Sequence, residues 1–365
     1  MKSLFGGAYK GRKVFITGHT GFKGSWLAYW LARMGARVFG FSLKPPTNPN
    51  HFECCKPDMK SIIGDINDAA SITRAMKDAE PEIVFHLAAQ PLVRQSYAEP
   101  AETYLTNVIG TLRVCEACRV AGSVRAIVAV TTDKVYENRE WEWPYRENDV
   151  LGGYDPYSSS KACAEVLLSS YRNSYFNLAR YGTAHDTLLS SVRAGNVVGG
   201  GDWGADRLIP DVMKSCAAKK TVTIRNPRAT RPWQHVLDCL SGYLLVGRRL
   251  LEGCREAATS FNFGPSLESA LCVEDVLARL KAYWPAMDYR IERDDGQPHE
   301  AHNLMLDCSK ARAVLSWRPV WESKTAFRHT VGWYRDYYEK GIVGTAADLK
   351  RYVEDGIQGG TIWAR

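Results

Sequence analysis

The chain has 365 residues, 45% hydrophobic, 24% charged and 11% aromatic, a balance that excludes a disordered tail or a fibrous repeat. Its formal charge of +7 is dispersed, Arg225, Arg228 and Arg231 included, which argues against a nucleic-acid polymer as partner but suits a small polyanion. No apolar run reaches the length of a spanning helix, so no membrane insertion is expected, and Met1 to Lys10 lacks the apolar core of a secretion signal.

Lys13-Val14-Phe15-Ile16-Thr17 is a short β-branched and aromatic run that ends in a glycine-rich turn. A helix from Ser25 to Ala32 and a strand from Arg37 to Phe41 complete a βαβ unit. Strand and helix then alternate: Ile62–Ile66, a helix over 71–78, Ile83–Leu87, a helix over 107–121, Ala126–Thr131, a helix over 156–175 and a strand over 191–195. Mostly apolar strands in that rhythm predict an α/β fold, a Rossmann-type parallel sheet with helices on both faces. The dinucleotide-binding domain is expected over 1–196. A smaller C-terminal substrate-binding lobe is expected over 197–365, with Val222–Arg225 or Phe261–Phe263 as segments able to return to the main sheet.

Gly18, Gly21 and Gly24 stand as G-x-x-G-x-x-G between strand and helix, the arrangement that lets a pyrophosphate approach backbone amides at a helix start. The acidic residue that would grip a ribose at the end of the second strand is missing. Ser42 suits a 2′-hydroxyl and Lys44 a 2′-phosphate, which leaves NAD and NADP both open on residues alone. Asp65 and Ile66 follow the third strand near where adenine would lie, with a plain capping role for Asp65 as the alternative. Leu87, Ala88 and Ala89 close the fourth strand with small residues that admit a cofactor against the backbone.

Tyr157 and Lys161 are four residues apart and share a helix face, so the amine can hold a ribose and lower the phenol's pKa. Thr132, at a strand end, can bond the same substrate hydroxyl. Asp133 and Lys134 extend the site beyond oxidation: an acid for a departing hydroxyl and a base or relay for the neighbouring C–H suit water elimination. Lys134 reads equally as a charged stabiliser of an enolate. His86, inside an apolar strand, reads as a packed histidine. Ten scattered cysteines, Cys54-Cys55 and the unmatched Cys115-x-x-Cys118 among them, read as reduced thiols of a cytoplasmic protein.

These stretches, with residues 19–26, 87–94, 133–141, 152–158, 193–203, 231–236, 299–302 and 306–311, resemble the extended short-chain dehydrogenase/reductase superfamily. Within it they are most similar to the cytidine branch of the nucleotide-sugar 4,6-dehydratases. The resemblance covers nearly the whole chain and implies NAD as a tightly held cofactor and CDP-glucose as substrate. It also implies water loss to the 4-keto-6-deoxy sugar, deoxysugar supply for surface polysaccharide, and a homodimer or higher homo-oligomer built through helices of the cofactor domain. It adds Phe22, Lys23 and Thr106 to the cofactor side, and Gln90, Arg94 and Leu208 to the substrate side. Asp133-Lys134 replaces the Asp-Glu pair of dehydratases that use other nucleotides. Val135 and Pro144 depart from the expected cysteine and glycine.

Asn196 follows a strand and should face the substrate, and the forks of Arg231 and Arg207 suit a diphosphate. His302 is a candidate ligand contact from the C-terminal lobe. His299-x-x-His302 lacks further ligands at metal spacing, so no metal is expected. Trp203 and Trp233 read as sugar or base walls or as core aromatics. The competing readings are a C4 epimerase or dehydrogenase, which needs no Asp133 or Lys134, and a noncatalytic nucleotide-binding regulator.

Overall fold

The computed structural model describes residues 1–224, 227–266, 270–292 and 304–364. Seven parallel strands form the main sheet: β1 (Lys13–Thr17), β2 (Arg37–Ser42), β3 (Lys60–Ile63), β4 (Ile83–His86), β5 (Ala126–Val130), β6 (Leu188–Ala194) and β7 (Ser260–Phe263). Their order is β7-β6-β5-β4-β1-β2-β3, the open doubly wound arrangement in which ligands bind at the carboxyl edge.

Every residue of β4, β5 and β6 is buried, as strands covered on both faces require. Alternate side chains part to opposite faces. Val14, Ile16, Ile83, Phe85, Ala126 and Val128 join one core with α1 (Phe22–Arg33) and α6 (Val236–Leu251). Phe15, Val84, Ile127 and Leu189 join a second core with α2 (Ala69–Ala79), α3 (Thr111–Ala121) and Leu168 and Tyr171 of α4 (Pro156–Ser174).

Several boundaries differ from the expected ones. The first helix starts at Phe22, three residues before Ser25, because Gly21 itself takes the extended N-cap conformation. β3 stops at Ile63; Gly64 lies against the Phe41 ring, where a Cβ would fall 2.4 Å from Cζ, and Asp65 opens a turn by accepting from the Asn67 amide. A π-helical turn over Leu105–Gly110 precedes α3, and β6 begins at Leu188.

Chain beyond residue 196 returns to the sheet twice. β7 pairs with β6, Phe261 opposite Val192, and α6 packs against β5 and β6. Val222–Ile224 does not return; it pairs with Tyr289–Ile291 away from the main sheet. Nearby stand α5 (Leu208–Ala217), α7 (Ser323–Lys340) and α8 (Thr345–Gln358). The last of these is tied to α6 by Tyr352, whose hydroxyl donates to Asp238 at 2.8 Å.

Candidate active site

The glycine turn between β1 and α1 is shaped by backbone approach. Gly18 has φ +78°, and a Cβ there would lie 2.7 Å from the Ala88 nitrogen. A Cβ on Gly24 would lie 2.1 Å from the Gly18 carbonyl oxygen, so turn and helix close only without side chains. Gly21 is different: a Cβ there would make only an ordinary contact of 3.5 Å. No side chain caps α1, which leaves its first amides open to an anion. Bare backbone, open helix amides and small residues opposite fit the pyrophosphate of a dinucleotide.

The rim of that turn is braced by hydroxyls. Thr20 Oγ1 donates to the Leu43 carbonyl at 2.9 Å, so Ser42, 2.8 Å away, is the donor to Thr20. Ser42 therefore keeps acceptor capacity for a ribose hydroxyl but no free proton. Asp65 is exposed and caps its own turn, whereas Ile66 is buried against Gly110. Thr106 accepts from Asn67 at 3.2 Å. Leu87 and Ala88 are fixed to Thr17, by its carbonyl at 3.1 Å and its hydroxyl at 3.3 Å, and Ala89 is half-buried beside them. His86 bridges Thr17 at 2.7 Å and Thr111 at 2.9 Å; burial pushes it down to about 3, so it is a neutral strut.

At the carboxyl end of β5, Thr132 caps a single 3-10 turn over Asp133–Val135 and donates to Asp133 Oδ1 at 2.9 Å. The Asp133 carboxyl is buried, and burial raises its proton affinity against the lowering effect of Lys134, Thr132, Arg231 and Lys23. Gly195 leaves room for it: a Cβ there would sit 2.9 Å from Asp133 Oδ2. Lys134 is half-buried, and its amide donates to Thr132 Oγ1 at 3.4 Å.

Tyr157 and Lys161 lie on α4 facing that turn. Burial pushes the phenol up to about 12, with the Thr132 hydroxyl opposing, the Asp133 charge adding and Arg207 opposing. Lys161, expected to depress this phenol, is not among the largest influences on it, and its Nζ donates to the Val130 carbonyl at 3.3 Å. Lys161 is itself brought down to about 8 by burial and by Lys23, with Glu165 opposing.

Sequence reasoning missed what holds α4 in place. Glu165 and Arg193 form a buried two-pronged ion pair at 3.0 and 2.8 Å. Thr131 at 2.5 Å and Ser191 at 2.8 Å also donate to Glu165, and Arg193 extends to the Tyr136 hydroxyl at 2.7 Å. Tyr136 in turn donates to Asn262 on β7 at 2.8 Å. The available signal was periodicity: Tyr157, Lys161 and Glu165 repeat every four residues on one helix face. Asn107 adds a second tie, donating to Ser160 at 2.9 Å and to the Gln90 carbonyl at 3.1 Å.

The substrate candidates divide. Arg207 is half-buried, pairs with Asp202 at 2.8 Å and acts on the Tyr157 phenol, which places its charge at the reacting end. Leu208 follows it as the first residue of α5. Arg231 sits on a short strand with its guanidinium donating to the Thr230 carbonyl at 2.9 Å, and its charge reaches Asp133. Arg94 faces Asp206 at 3.6 Å. The Asn196 carbonyl accepts from the Gln234 amide at 3.0 Å. Gln90 spends its side-chain amide on the Leu92 carbonyl and Thr103, so it braces its own loop and would have to leave both to meet a ligand. Trp203 and Trp233 are core aromatics rather than sugar walls; Trp203 donates to Tyr338 at 2.8 Å and Trp233 packs against Phe327. His299 and His302 lie outside the described residues. Among the described residues, no group of three or more His, Cys, Asp or Glu side chains is placed to hold a metal.

Fold and site together define a Rossmann-type protein in which Thr132 and the buried Asp133 carboxyl at the end of β5 and Tyr157 and Lys161 of α4 are all enclosed. Residues 15–330 match the family model described as GDP-mannose 4,6 dehydratase, and the chain belongs to that family of nucleotide-sugar 4,6-dehydratases. It is 49% identical to the CDP-glucose 4,6-dehydratase of Salmonella typhimurium, over 90% of this chain and 91% of that one. Among solved structures, an epimerase from Methanothermobacter thermautotrophicus matches with a TM-score of 0.77 at 25% identity, covering 91% of this chain and 94% of its own. A UDP-glucose 4-epimerase from Stenotrophomonas maltophila, solved with bound NAD, shares the fold at a TM-score of 0.77 and 21% identity, covering 90% of this chain and 99% of its own.

Proposed function

We propose that this chain converts CDP-glucose to CDP-4-keto-6-deoxyglucose and water, with NAD held over the glycine turn. The observation that carries this reading is the buried carboxyl of Asp133. It is bonded to Thr132, raised in proton affinity and electrostatically coupled to the Tyr157 phenol. The 49% identity to a relative named for that substrate supports the choice of nucleotide sugar.

NAD, when bound, supplies a hydride acceptor for C4 and a hydride donor for C6, so none is consumed. Tyr157 is the proposed base for the C4 hydroxyl. Burial keeps its own proton on in the free protein, so it takes the C4 hydroxyl proton, as the C4–H bond gives up its hydride, only after losing that proton, which the positive charge of a bound oxidised nicotinamide would favour. The resulting ketone acidifies the C5 hydrogen. Lys134 accepts or relays that proton, and Asp133 gives its own proton to the C6 oxygen, which leaves as water. A proton returns to C5 when hydride reaches C6, and the balance is one sugar to one keto-sugar plus one water.

Arg207 and Arg231 are assigned to the diphosphate, Asn196 to a phosphate or sugar oxygen, Gly18, Gly21 and Gly24 to the pyrophosphate of NAD, and Ser42 to its ribose. Two copies are proposed to meet through α3 and α4, adjacent helices that leave Val120 and Val166 exposed. The cytoplasm is the proposed compartment, since it would keep the ten free cysteines reduced.

The deciding experiment is product mass after incubation with CDP-glucose and NAD. Loss of one water is expected. An isomer of unchanged mass would replace this reading with C4 epimerisation, which the same Thr132, Tyr157 and Lys161 would serve.

A further inference from the structure

Between the turn that carries Asp133 and Lys134 and the helix that carries Tyr157, the chain makes one excursion over residues 136–151. Its base is closed: the Glu137 amide donates to the Val150 carbonyl at 3.0 Å and the Gly152 amide to the Val135 carbonyl at 2.8 Å. Its outer part is fastened to a distant stretch of chain. There the Tyr145 amide donates to the Met305 carbonyl and the Asp307 amide to the Tyr145 carbonyl, both at 2.8 Å. Asn262 stands where these pieces meet, fully buried on β7, the edge strand of the sheet. Its side-chain amide donates to the Tyr145 carbonyl at 2.9 Å and to the Asp307 carbonyl at 3.2 Å. Its side-chain oxygen accepts from the Tyr136 hydroxyl at 2.8 Å, and its main-chain amide donates to Glu147 Oε1 at 2.8 Å. Both side-chain donors and the acceptor are spent, which fixes the amide in one orientation. Tyr136 is itself buried, stacked on Tyr145 at 5.1 Å, and lies two residues beyond Lys134. The near end of the Thr132–Val135 turn is thus held by β5, and its far end by Asn262.

We propose that Asn262 is a positioning residue for water elimination: through Tyr136 it holds the Lys134 end of the turn in place relative to Tyr157. Thr132 and Tyr157, the groups assigned to C4 oxidation, have supports of their own. Thr132 follows β5 directly, and α4 is fixed by the Asp155 cap on Ser158, by Lys161 on the Val130 carbonyl and by the Glu165–Arg193 pair. Lys134 depends on the turn and on what anchors its far end. Loosening that anchor therefore separates the two half-reactions instead of slowing both. The assignment rests on the dehydratase reading and deepens it.

Two variants share the loss of one bond, Tyr136 to Asn262. Asn262→Ala leaves Arg193 on the Tyr136 hydroxyl, and Tyr136→Phe leaves Asn262 on the Tyr145 and Asp307 carbonyls and keeps the ring stacked on Tyr145. Single-turnover mixing of each with NAD and CDP-glucose follows reduced cofactor by absorbance, C5 hydrogen exchange in deuterated water, and water loss by product mass. In both variants C4 oxidation is expected to stay within about twofold of wild type, while C5 exchange and water loss slow about tenfold or more and reduced cofactor accumulates. Equal slowing of oxidation and elimination, or unchanged rates, would overturn the assignment and leave Asn262 a packing residue. If Asn262→Ala does not fold, Tyr136→Phe decides alone. A wild-type protein that releases an isomer of CDP-glucose would end the dehydratase reading, and this assignment with it.

Discussion

The Glu165–Arg193 pair offers the sharpest energetic test, because both side chains are almost fully enclosed, at 1% and 3% exposure. Burial alone would push the Glu165 carboxyl up. Arg193 and the hydroxyls of Thr131 and Ser191 instead hold it at about 2, against an ordinary 4.5. Two and a half pH units correspond to roughly 3 kcal/mol of folding stability. Because the folded value is the lower one, that contribution is complete above about pH 4.5 and disappears as pH falls toward about 2. Arg193→Met leaves the carboxylate enclosed and takes the donor from Tyr136, so it should cost about 3–5 kcal/mol at neutral pH. Glu165→Gln combined with Arg193→Met removes the stranded charge and should recover about half or more of that loss. Urea unfolding of the wild type, both single variants and the double variant gives the coupling directly. A loss under about 1 kcal/mol for Arg193→Met, or a double variant no better than the sum of the singles, would refute the argument that this pair clamps α4 to β6.

Two further outcomes follow from buried groups elsewhere. Asp238, enclosed in α6 and pushed up by burial to about 7 from 3.8, binds its proton more tightly when folded. Its extra stability is therefore present below about pH 4 and lost as pH rises to about 7, up to about 4 kcal/mol; urea midpoints of Asp238→Asn should show that this slope has gone. Gly24→Ala would press a methyl into the Gly18 carbonyl, and the glycine turn should open. NAD affinity by calorimetry is expected to fall at least about tenfold while far-ultraviolet dichroism stays unchanged; unaltered affinity would remove the turn from the cofactor site.

The alternation of strand and helix was legible because β4 and β5 are buried on both faces and run apolar over Ile83–Phe85 and Ala126–Val130, whereas β6, equally buried, carries Ser190, Ser191 and Arg193. β7 was legible only as an open alternative: four residues long and 65 residues beyond the end of β6, it declares its place through pairing alone. The placement of the glycine turn between β1 and α1, of Thr132 at the end of β5 and of Tyr157 and Lys161 on one helix was legible from their spacing. The charges acting on them were not. Lys161 was expected to act on the phenol four residues away, but its rotamer sends the amine to a strand carbonyl. Glu165 and Arg193 are 28 residues apart and polar in segments that read as apolar core, so nothing local announces their union. Gln90 sits in a stretch that resembles a ligand loop, and only the structure shows its amide engaged within that loop.

The division of labour between Asp133 and Lys134 can be argued from their surroundings. A general acid must hold a proton when the leaving group departs, and burial raises the proton affinity of Asp133 although three cations oppose it. Thr132 already occupies one of its oxygens, and the other is the oxygen for which Gly195 leaves room. Lys134 is less enclosed than Asp133 and on the same turn, and it is proposed for the C5 proton. Asp133→Asn preserves the shape and removes the transferable proton. Single-turnover mixing with CDP-glucose should then show reduced cofactor forming and C5 hydrogen exchanging with deuterated solvent, while water loss slows about 10²-fold or more. If oxidation and water loss fall in the same proportion, Asp133 serves the first step instead, and the acid must be sought among the other groups around Tyr157.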